Sequence, residues 1–197
     1  LRRHRFLLST SYLPLVTGTE RRVFEQARHT SGFPTFRITT REQRIYLPAP
    51  ERDRYFPLIY LEPFEPQTAV MIGFNVLSEP ELAAPALAAI DSGAASPAAP
   101  RLLDQGVHGY WLFKAVYAGK EVPSQVADRQ SAVHGLVALR ISADTLLRDA
   151  LASRAIDVRL RMYPSGETVA VDVAARVPEP PATMGATLLV LRRSDTI

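Results

Sequence analysis

Nucleophilic, acid–base and metal chemistry each demand particular side chains at particular spacings, and this sequence offers little of any of them. It contains no cysteine, which removes thiolate nucleophiles, disulfides, iron–sulfur clusters and cysteine zinc sites together. Its four histidines, His4, His29, His108 and His134, form no i, i+4 pair and have no carboxylate at ligand spacing, so no metal is expected. The glycines are isolated, and no Gly-x-Ser-x-Gly elbow, phosphate-cradling loop or dinucleotide pattern is formed. Glu62 and Glu65 flank Phe64 beside Pro63 and Pro66. A carboxylate pair can serve acid–base work, but no nucleophile or metal ligand accompanies this one, and two acids in a Pro-rich loop usually face water. No catalytic residue, metal or cofactor is assigned, and the chain is read as a non-enzyme.

Binding chemistry is better represented. Phe56, Tyr60, Phe64, Phe74, Tyr110, Trp111 and Phe113 gather around a stretch, residues 55–100, that has five acids and no Lys or Arg. Ligand pockets are mostly apolar with a few placed polar groups, so these rings suit a pocket wall. They equally suit the core of a small α+β domain, because pocket and core follow the same strand alternation. A stretch without basic residues favours a neutral or weakly basic small molecule over a phosphate or free carboxylate.

The basic residues lie elsewhere. Residues 1–54 hold eleven arginines against five acids, and residues 101–197 hold twelve basic residues against ten acids. They are spread over an amphipathic leader and strand faces, without the dense basic stripe and interleaved aromatics of a single-strand binder, so no nucleic-acid partner is expected. No run approaches the roughly 18 apolar residues of a membrane span. The sequence begins at Leu1 without Met or a signal pattern, which reads as a piece of a longer protein whose membrane attachment lies outside it.

The elements that must position these residues read as mixed α and β. Sixteen prolines and ten glycines in 197 residues imply many short elements. Leu1 to Tyr12, with Leu1, Phe6, Leu7, Leu8 and Tyr12 near helical spacing, is expected to end a helix before Pro14. A second helix is expected from a Thr19 cap, with Val23, Phe24 and Ala27 buried and Gly32 as its stop. Strands are expected over Thr35–Thr39, Tyr55–Leu61, Val70–Phe74, Arg101–Leu103 and Tyr110–Tyr117. Ser78-Glu79-Pro80-Glu81 marks a helix start with a hydroxyl cap and early proline, running past Leu82, Leu87 and Ile90 to Gly93, with Pro85 as a potential kink. Beyond a seam near residue 120, a strand over Gly135–Ile141, a helix capped by Ser142, strands over Val158–Tyr163 and Val169–Val173, and a last strand over Thr187–Leu191 describe a second small unit. The expected fold class is α+β, in tandem modules.

Several segments taken in order carry a resemblance: Leu13-Pro14-Leu15-Val16, Arg21-Arg22-Val23-Phe24-Glu25, Gly32 through Thr39, Arg54 through Tyr60, Gly73-Phe74-Asn75-Val76-Leu77-Ser78-Glu79-Pro80, Arg101-Leu102-Leu103 and Leu112 through Tyr117. Over roughly residues 10–155 the series resembles a CHASE domain, the extracytoplasmic sensor of membrane receptors such as histidine kinases and diguanylate cyclases. The resemblance implies tandem PAS-like modules after an N-terminal stalk helix that is truncated here. Residues 1–18 would be the end of the stalk and the entry segment, 19–119 the distal ligand module and 120–197 the proximal module. It further implies a periplasmic part of an inner-membrane, two-component-type receptor that dimerises when intact, with membrane contact only through segments outside this sequence.

In the related plant cytokinin receptors an aspartate and a threonine contact an adenine-type ligand. The corresponding positions here fall at Glu62-Pro63 and Pro97-Ala98, with Ser96 the nearest hydroxyl. Asn75 stands where the family commonly has Asp in a Gly-Phe-Asp-x-x-Ser pattern, and Leu87 matches an apolar wall position. The expected ligand-binding set is therefore Tyr60, Glu62, Phe74, Asn75, Leu87, Ser96, Ala98, Trp111 and Phe113. The alternative is a periplasmic protein- or peptide-binding module with filled pockets and a partner at an exposed strand edge.

Overall fold

A computed structural model describes residues 4–43, 45–103, 106–119, 121–151, 160–162 and 171–173. In chain order these form β1 (Leu7–Pro14), β2 (Val16–Thr17), α1 (Arg21–Thr30), β3 (Thr39–Glu42), β4 (Ile45–Pro48), β5 (Arg54–Tyr55), β6 (Tyr60–Glu62) and α2 (Pro66–Ala69). A single 3-10 turn at Val76–Ser78 leads to α3 (Pro80–Ser92), β7 (Ser96–Pro97), β8 (Arg101–Leu102), β9 (His108–Tyr117), α4 (Val126–Ala132), β10 (Val133–Ser142) and α5 (Ala143–Leu151), and then to β11 (Leu160–Met162) and β12 (Val171–Val173).

The chain divides into two compact units, one of Leu8–Ala98 with Trp111–Arg140, the other of Leu1–Leu7, Ala99–Tyr110 and Ile141–Ile197. In the first, the main antiparallel sheet runs in the order β6-β1-β10-β9-β7. Tyr12 pairs with Tyr60 and Thr10 with Glu62, and Ser96 pairs with Phe113. Leu15 N–H donates to the His134 carbonyl at 2.8 Å where β1 leaves β10. In the second unit β8 pairs with β9 through Arg101 and Gly109, Asp144 in the first turn of α5 accepts from His108 N–H at 3.1 Å, and β11 pairs with β12.

Burial alternates along the long strands with the period of two expected of a half-covered sheet. On β9 the buried residues are Gly109, Trp111, Phe113, Ala115 and Tyr117; on β1 they are Ser9, Ser11 and Leu13; on β10 they include Leu136, Ala138 and Arg140. α3 packs here through Leu82, Ala86, Ala89 and Ile90. Tyr117 reaches it directly, donating its hydroxyl to the Ile90 carbonyl at 2.6 Å. A separate cluster of Val16, Phe36, Ile38, Ala49 and Tyr55, flanked by Phe24, Phe33, Ile59 and Ile72, forms a second core in the same unit.

Local signals account for several elements. α3 starts at Pro80 and stops at Gly93, which holds φ +66, a left-handed conformation that glycine adopts without cost. Pro85 is accommodated within it. The cap is Glu79, whose side chain makes no capping bond to the helix; the Ser78 hydroxyl instead donates to the Asn75 carbonyl at 2.6 Å. Ser142 caps α5 as expected, its Oγ accepting from Thr145 N–H at 3.0 Å. β8, β9 and β10 lie where strands were expected.

Other expectations give way to tertiary pairing. The segment expected to end a helix by Tyr12 is a strand from Leu7, because β6 supplies a ladder partner and the Ser9, Ser11, Leu13 alternation supplies a buried face. α1 begins at Arg21 rather than from a Thr19 cap, and its buried residues number none; Val23 is 71% exposed, Ala27 is exposed, and Phe24 alone of the expected three packs on a core. The Tyr55–Leu61 strand is broken around Pro57, which has no N–H for a ladder. Of Thr35–Thr39 only Thr39 enters a strand.

Val70–Phe74 is not a strand either. Met71 N–H bonds the Thr68 carbonyl and Ile72 N–H the Ala69 carbonyl, turning the chain. Gly73 follows at φ +93, where a Cβ would collide with the Arg37 carbonyl oxygen. The expected Thr187–Leu191 strand lies outside the described residues, as do parts of Val158–Tyr163 and Val169–Val173.

Candidate functional site

β9 places Trp111 and Phe113, two residues apart, on the covered face of the main sheet. Their rings stack at 5.8 Å between centroids and 14° between planes, an offset arrangement aromatic pairs favour. β7 lies alongside: Ser96 is half-buried and pairs with Phe113, while Ala98 is buried and its N–H donates to the Trp111 carbonyl at 2.8 Å. Four of the nine expected residues are thus brought together by one strand pair.

The same face carries polar groups. Arg140 is 2% exposed, with its guanidinium carbon 5.7 Å from the Trp111 ring and Nη1 3.6 Å from the Met71 sulfur. Ser9 and Ser11 are each 1% exposed, and their hydroxyls have no hydrogen-bond partner among the described residues. At the α3 end, burial raises the pKa of Tyr117, with Asp91 adding and Arg129 opposing, so its hydroxyl remains a donor to Ile90. Burial also raises the pKa of Tyr110.

Asn75 and Phe74 occupy a tight corner. Asn75 is fully buried; its Oδ1 accepts from Phe56 N–H at 2.9 Å and from Leu77 N–H at 3.4 Å, and its N–H donates to the Thr39 carbonyl at 2.9 Å. Its Nδ2 has no partner among the described residues. An aspartate here would accept the same bonds but present no N–H donor. Phe74 meets Tyr46 edge-on at 5.9 Å under the Arg41 guanidinium at 5.7 Å, and Arg41 Nε donates to Glu79 Oε1 at 2.7 Å.

The remaining expected residues lie apart from the stacked pair. Tyr60 and Glu62 are exposed on either side of buried Leu61 in the edge strand β6, so they project from the opposite face. Leu87 is half-buried on α3.

Two surface cavities also belong to this unit. One of about 490 Å³ is lined by Phe33, Phe36, Thr39, Tyr46, Phe64 and Ile72. Another of about 680 Å³ is lined by Thr17, Arg21, Glu25, Asp53 and Tyr55 among others, and its Arg21 is already bonded to the Ala49 carbonyl at 2.8 Å and to Glu25 at 3.1 Å.

Ser9, Ser11 and Arg140 were not among the expected site residues. Their only sequence signal is parity: two serines in step with Leu13, and one arginine in an otherwise apolar strand, Gly135–Ile141. An aromatic pair with buried polar groups beside it on one sheet face is the kind of surface on which ligands are bound. The family profile of the CHASE domain matches residues 1–173, and the chain belongs to that family. CHASE domains are extracytoplasmic sensor domains of membrane receptors and are not catalytic. Among the described residues no helix is long and apolar enough to cross a membrane. No curated protein matches the chain.

Proposed function

We propose that this chain senses a small molecule on the covered face of the main sheet, for a receptor of the histidine kinase or diguanylate cyclase type in the inner membrane. The observation that carries this reading is the coexistence, on one buried sheet face, of a stacked Trp111–Phe113 pair with the hydroxyls of Ser9 and Ser11, which meet no partner among the described residues. A core serving stability alone is better packed with apolar side chains, since buried polar groups cost free energy unless they are satisfied. A sheet with helices against its covered face supports a PAS-like module. Ser96 and Ala98 on β7 border the stacked pair, and Asn75 and Phe74 extend the ligand-responsive region toward the start of α3.

Signalling then proceeds by population shift: a ligand that favours one packing of this face over another biases the receptor by its differential affinity. The intact receptor acts as a homodimer. The second reading, a peptide-binding module, draws on the edge strand β6, where Tyr60 is 54% exposed and pairing with an added strand is open.

A thermal-shift screen of the 197-residue chain tests the primary reading. The panel holds purines, cytokinin-like adenines, amino acids and small aromatic acids and amides. A ligand at a hundred times its Kd adds about 2.7 kcal/mol, a clear rise in Tm. A rise abolished by Trp111→Ala supports the sensor, whereas no rise across the panel, together with capture of an extended peptide that Tyr60→Ala prevents, transfers the function to the edge strand.

A further inference from the structure

The cavity of about 490 Å³ is of ligand size, and neither Trp111 nor any other residue of the covered face lines it. Three segments wall it: the loop of residues 32–37 after α1, then Thr39, Tyr46 and Pro48 of the β3–β4 hairpin, then Phe64, Ala69 and Ile72 on either side of and within α2. Backbone bonds tie these segments together. Thr39 N–H donates to the Gly73 carbonyl at 2.8 Å, Ala49 N–H to the Ile38 carbonyl at 2.9 Å and Phe36 N–H to the Phe33 carbonyl at 3.0 Å. The walls therefore stand before any ligand arrives, which lowers the ordering cost of binding.

Rings dominate the lining. Phe33 and Phe36 lie under the Arg28 guanidinium, 4.6 and 5.7 Å from it. Phe36 also meets Phe24 edge-on at 5.9 Å, and Tyr46 meets Phe74 at the same distance, so three of the four rings are held by other side chains. Phe64 differs, being 59% exposed and without a ring contact among the described residues. A ring that is both exposed and part of the lining gains burial when the cavity fills.

Charge decides what such a cavity takes, since ring faces attract cations and also stack on flat neutral or anionic bodies. No acidic residue lines it, and the one charged residue among the described lining is Arg37, exposed and with a side chain that has no ion pair or hydrogen bond among the described residues. A cation would meet like charge and no counter-ion, whereas a carboxylate meets the planar fork of an unengaged guanidinium. We infer that this cavity is a second ligand site, for a small aromatic acid whose rings lie against Phe33, Phe36 and Phe64 and whose carboxylate pairs with Arg37. It goes beyond the sensor reading of the covered face and does not rest on it.

Acids with their matched amides and amines test it. The 197-residue chain is titrated calorimetrically with phenylpropionate, phenylpropionamide and phenylpropylamine, and with naphthylacetate, naphthylacetamide and naphthylethylamine. At least one acid is expected to bind and to raise Tm, with its amide weaker by roughly tenfold, the size of a charge-assisted bond, and its amine weaker still. The advantage of the acid should shrink as salt rises. Arg37→Gln is expected to bring acid and amide to one affinity, and Phe64→Ala to weaken both by about fivefold. Both residues are exposed, so both variants are expected to keep the Tm of the ligand-free chain.

An amine that binds as tightly as its acid, or an acid–amide gap that Arg37→Gln leaves intact, overturns the ligand class. Acid binding that Phe64→Ala leaves intact overturns the site, as does binding of none of the compounds. A rise in Tm that Arg37→Gln removes reports the cavity, and one that Trp111→Ala removes reports the covered face, so either reading can fail without the other.

Discussion

The core around Tyr55 and the covered face around Trp111 belong to the same unit and both bury aromatic rings, but the polar groups that touch Tyr55 and the serines of the Trp111 face are treated in opposite ways. At and beside the Tyr55 hydroxyl, Arg21, Glu25 and Arg52 meet protein partners. Arg21 donates to the Ala49 carbonyl at 2.8 Å, to the Ile38 carbonyl at 3.3 Å and to the Tyr55 hydroxyl at 3.2 Å. Glu25 accepts from Ile38 N–H at 2.9 Å, and the Tyr55 hydroxyl donates to the Pro50 carbonyl at 3.0 Å while accepting from Arg52 N–H at 2.7 Å. On the Trp111 face the hydroxyls of Ser9 and Ser11 find nothing within the described protein. A closed polar network stabilises a fold, whereas polar groups left open in a dry face create affinity for something else.

That contrast sets the expected order of mutational effects. Arg21→Ala strips several acceptors at once and is expected to destabilise by about 2–3 kcal/mol, read from the urea midpoint at constant m-value. An effect as small as that of Ser9→Ala would erase the distinction between the two regions. Asn75→Ala leaves Phe56 N–H buried without its acceptor and opens a small cavity, for about 2 kcal/mol; denaturant unfolding measures it directly.

Tyr117→Phe deletes the hydroxyl bond to α3 and is expected to cost about 1 kcal/mol. It also changes the alkaline limb of the stability profile. The Tyr117 pKa is raised in the folded chain by burial, so its contribution is complete below the unfolded value near 10 and is lost as pH rises through the folded value. The variant should show a shallower alkaline loss, measured by thermal melts between pH 8 and 11.

The smallest effect is at the start of α1. Hydrogen bonds from the Thr17 hydroxyl and N–H lower the pKa of Glu20. Its contribution is therefore present above the ordinary value of 4.5 and is lost as pH falls through the lowered folded value. Thr17→Val should move the Glu20 titration, followed by NMR, back toward 4.5.

What was legible in the sequence follows the same division between local and tertiary causes. Pro80 and Gly93 bound α3, and Ser142 caps α5, because start and stop chemistry acts within a few residues. β9 was legible through its aromatic alternation, and with it Trp111 and Phe113. The Leu7–Pro14 strand was not, since its state depends on a partner strand some fifty residues away. Nor was the turn at Val70–Gly73, whose apolar residues read as a strand until Gly73 is seen passing beneath the Arg37 carbonyl.

The family resemblance, carried by an ordered series of short segments, was legible over most of the chain. Ser9, Ser11 and Arg140 were invisible as site residues because burial of a polar side chain is a property of the assembled sheet, with no mark in the residue type.

Trp111 is the chain's single tryptophan and is 2% exposed on the covered face, so its fluorescence reports on that face alone. Titration with a ligand whose rise in Tm survives Arg37→Gln is the most direct measurement. A saturable change in Trp111 emission, with the Kd found by calorimetry and weakened in the Ser9→Ala Ser11→Ala double variant, is the expected result. A ligand that stabilises the chain equally in both proteins while leaving Trp111 emission unchanged would place sensing elsewhere and contradict the assignment of this face.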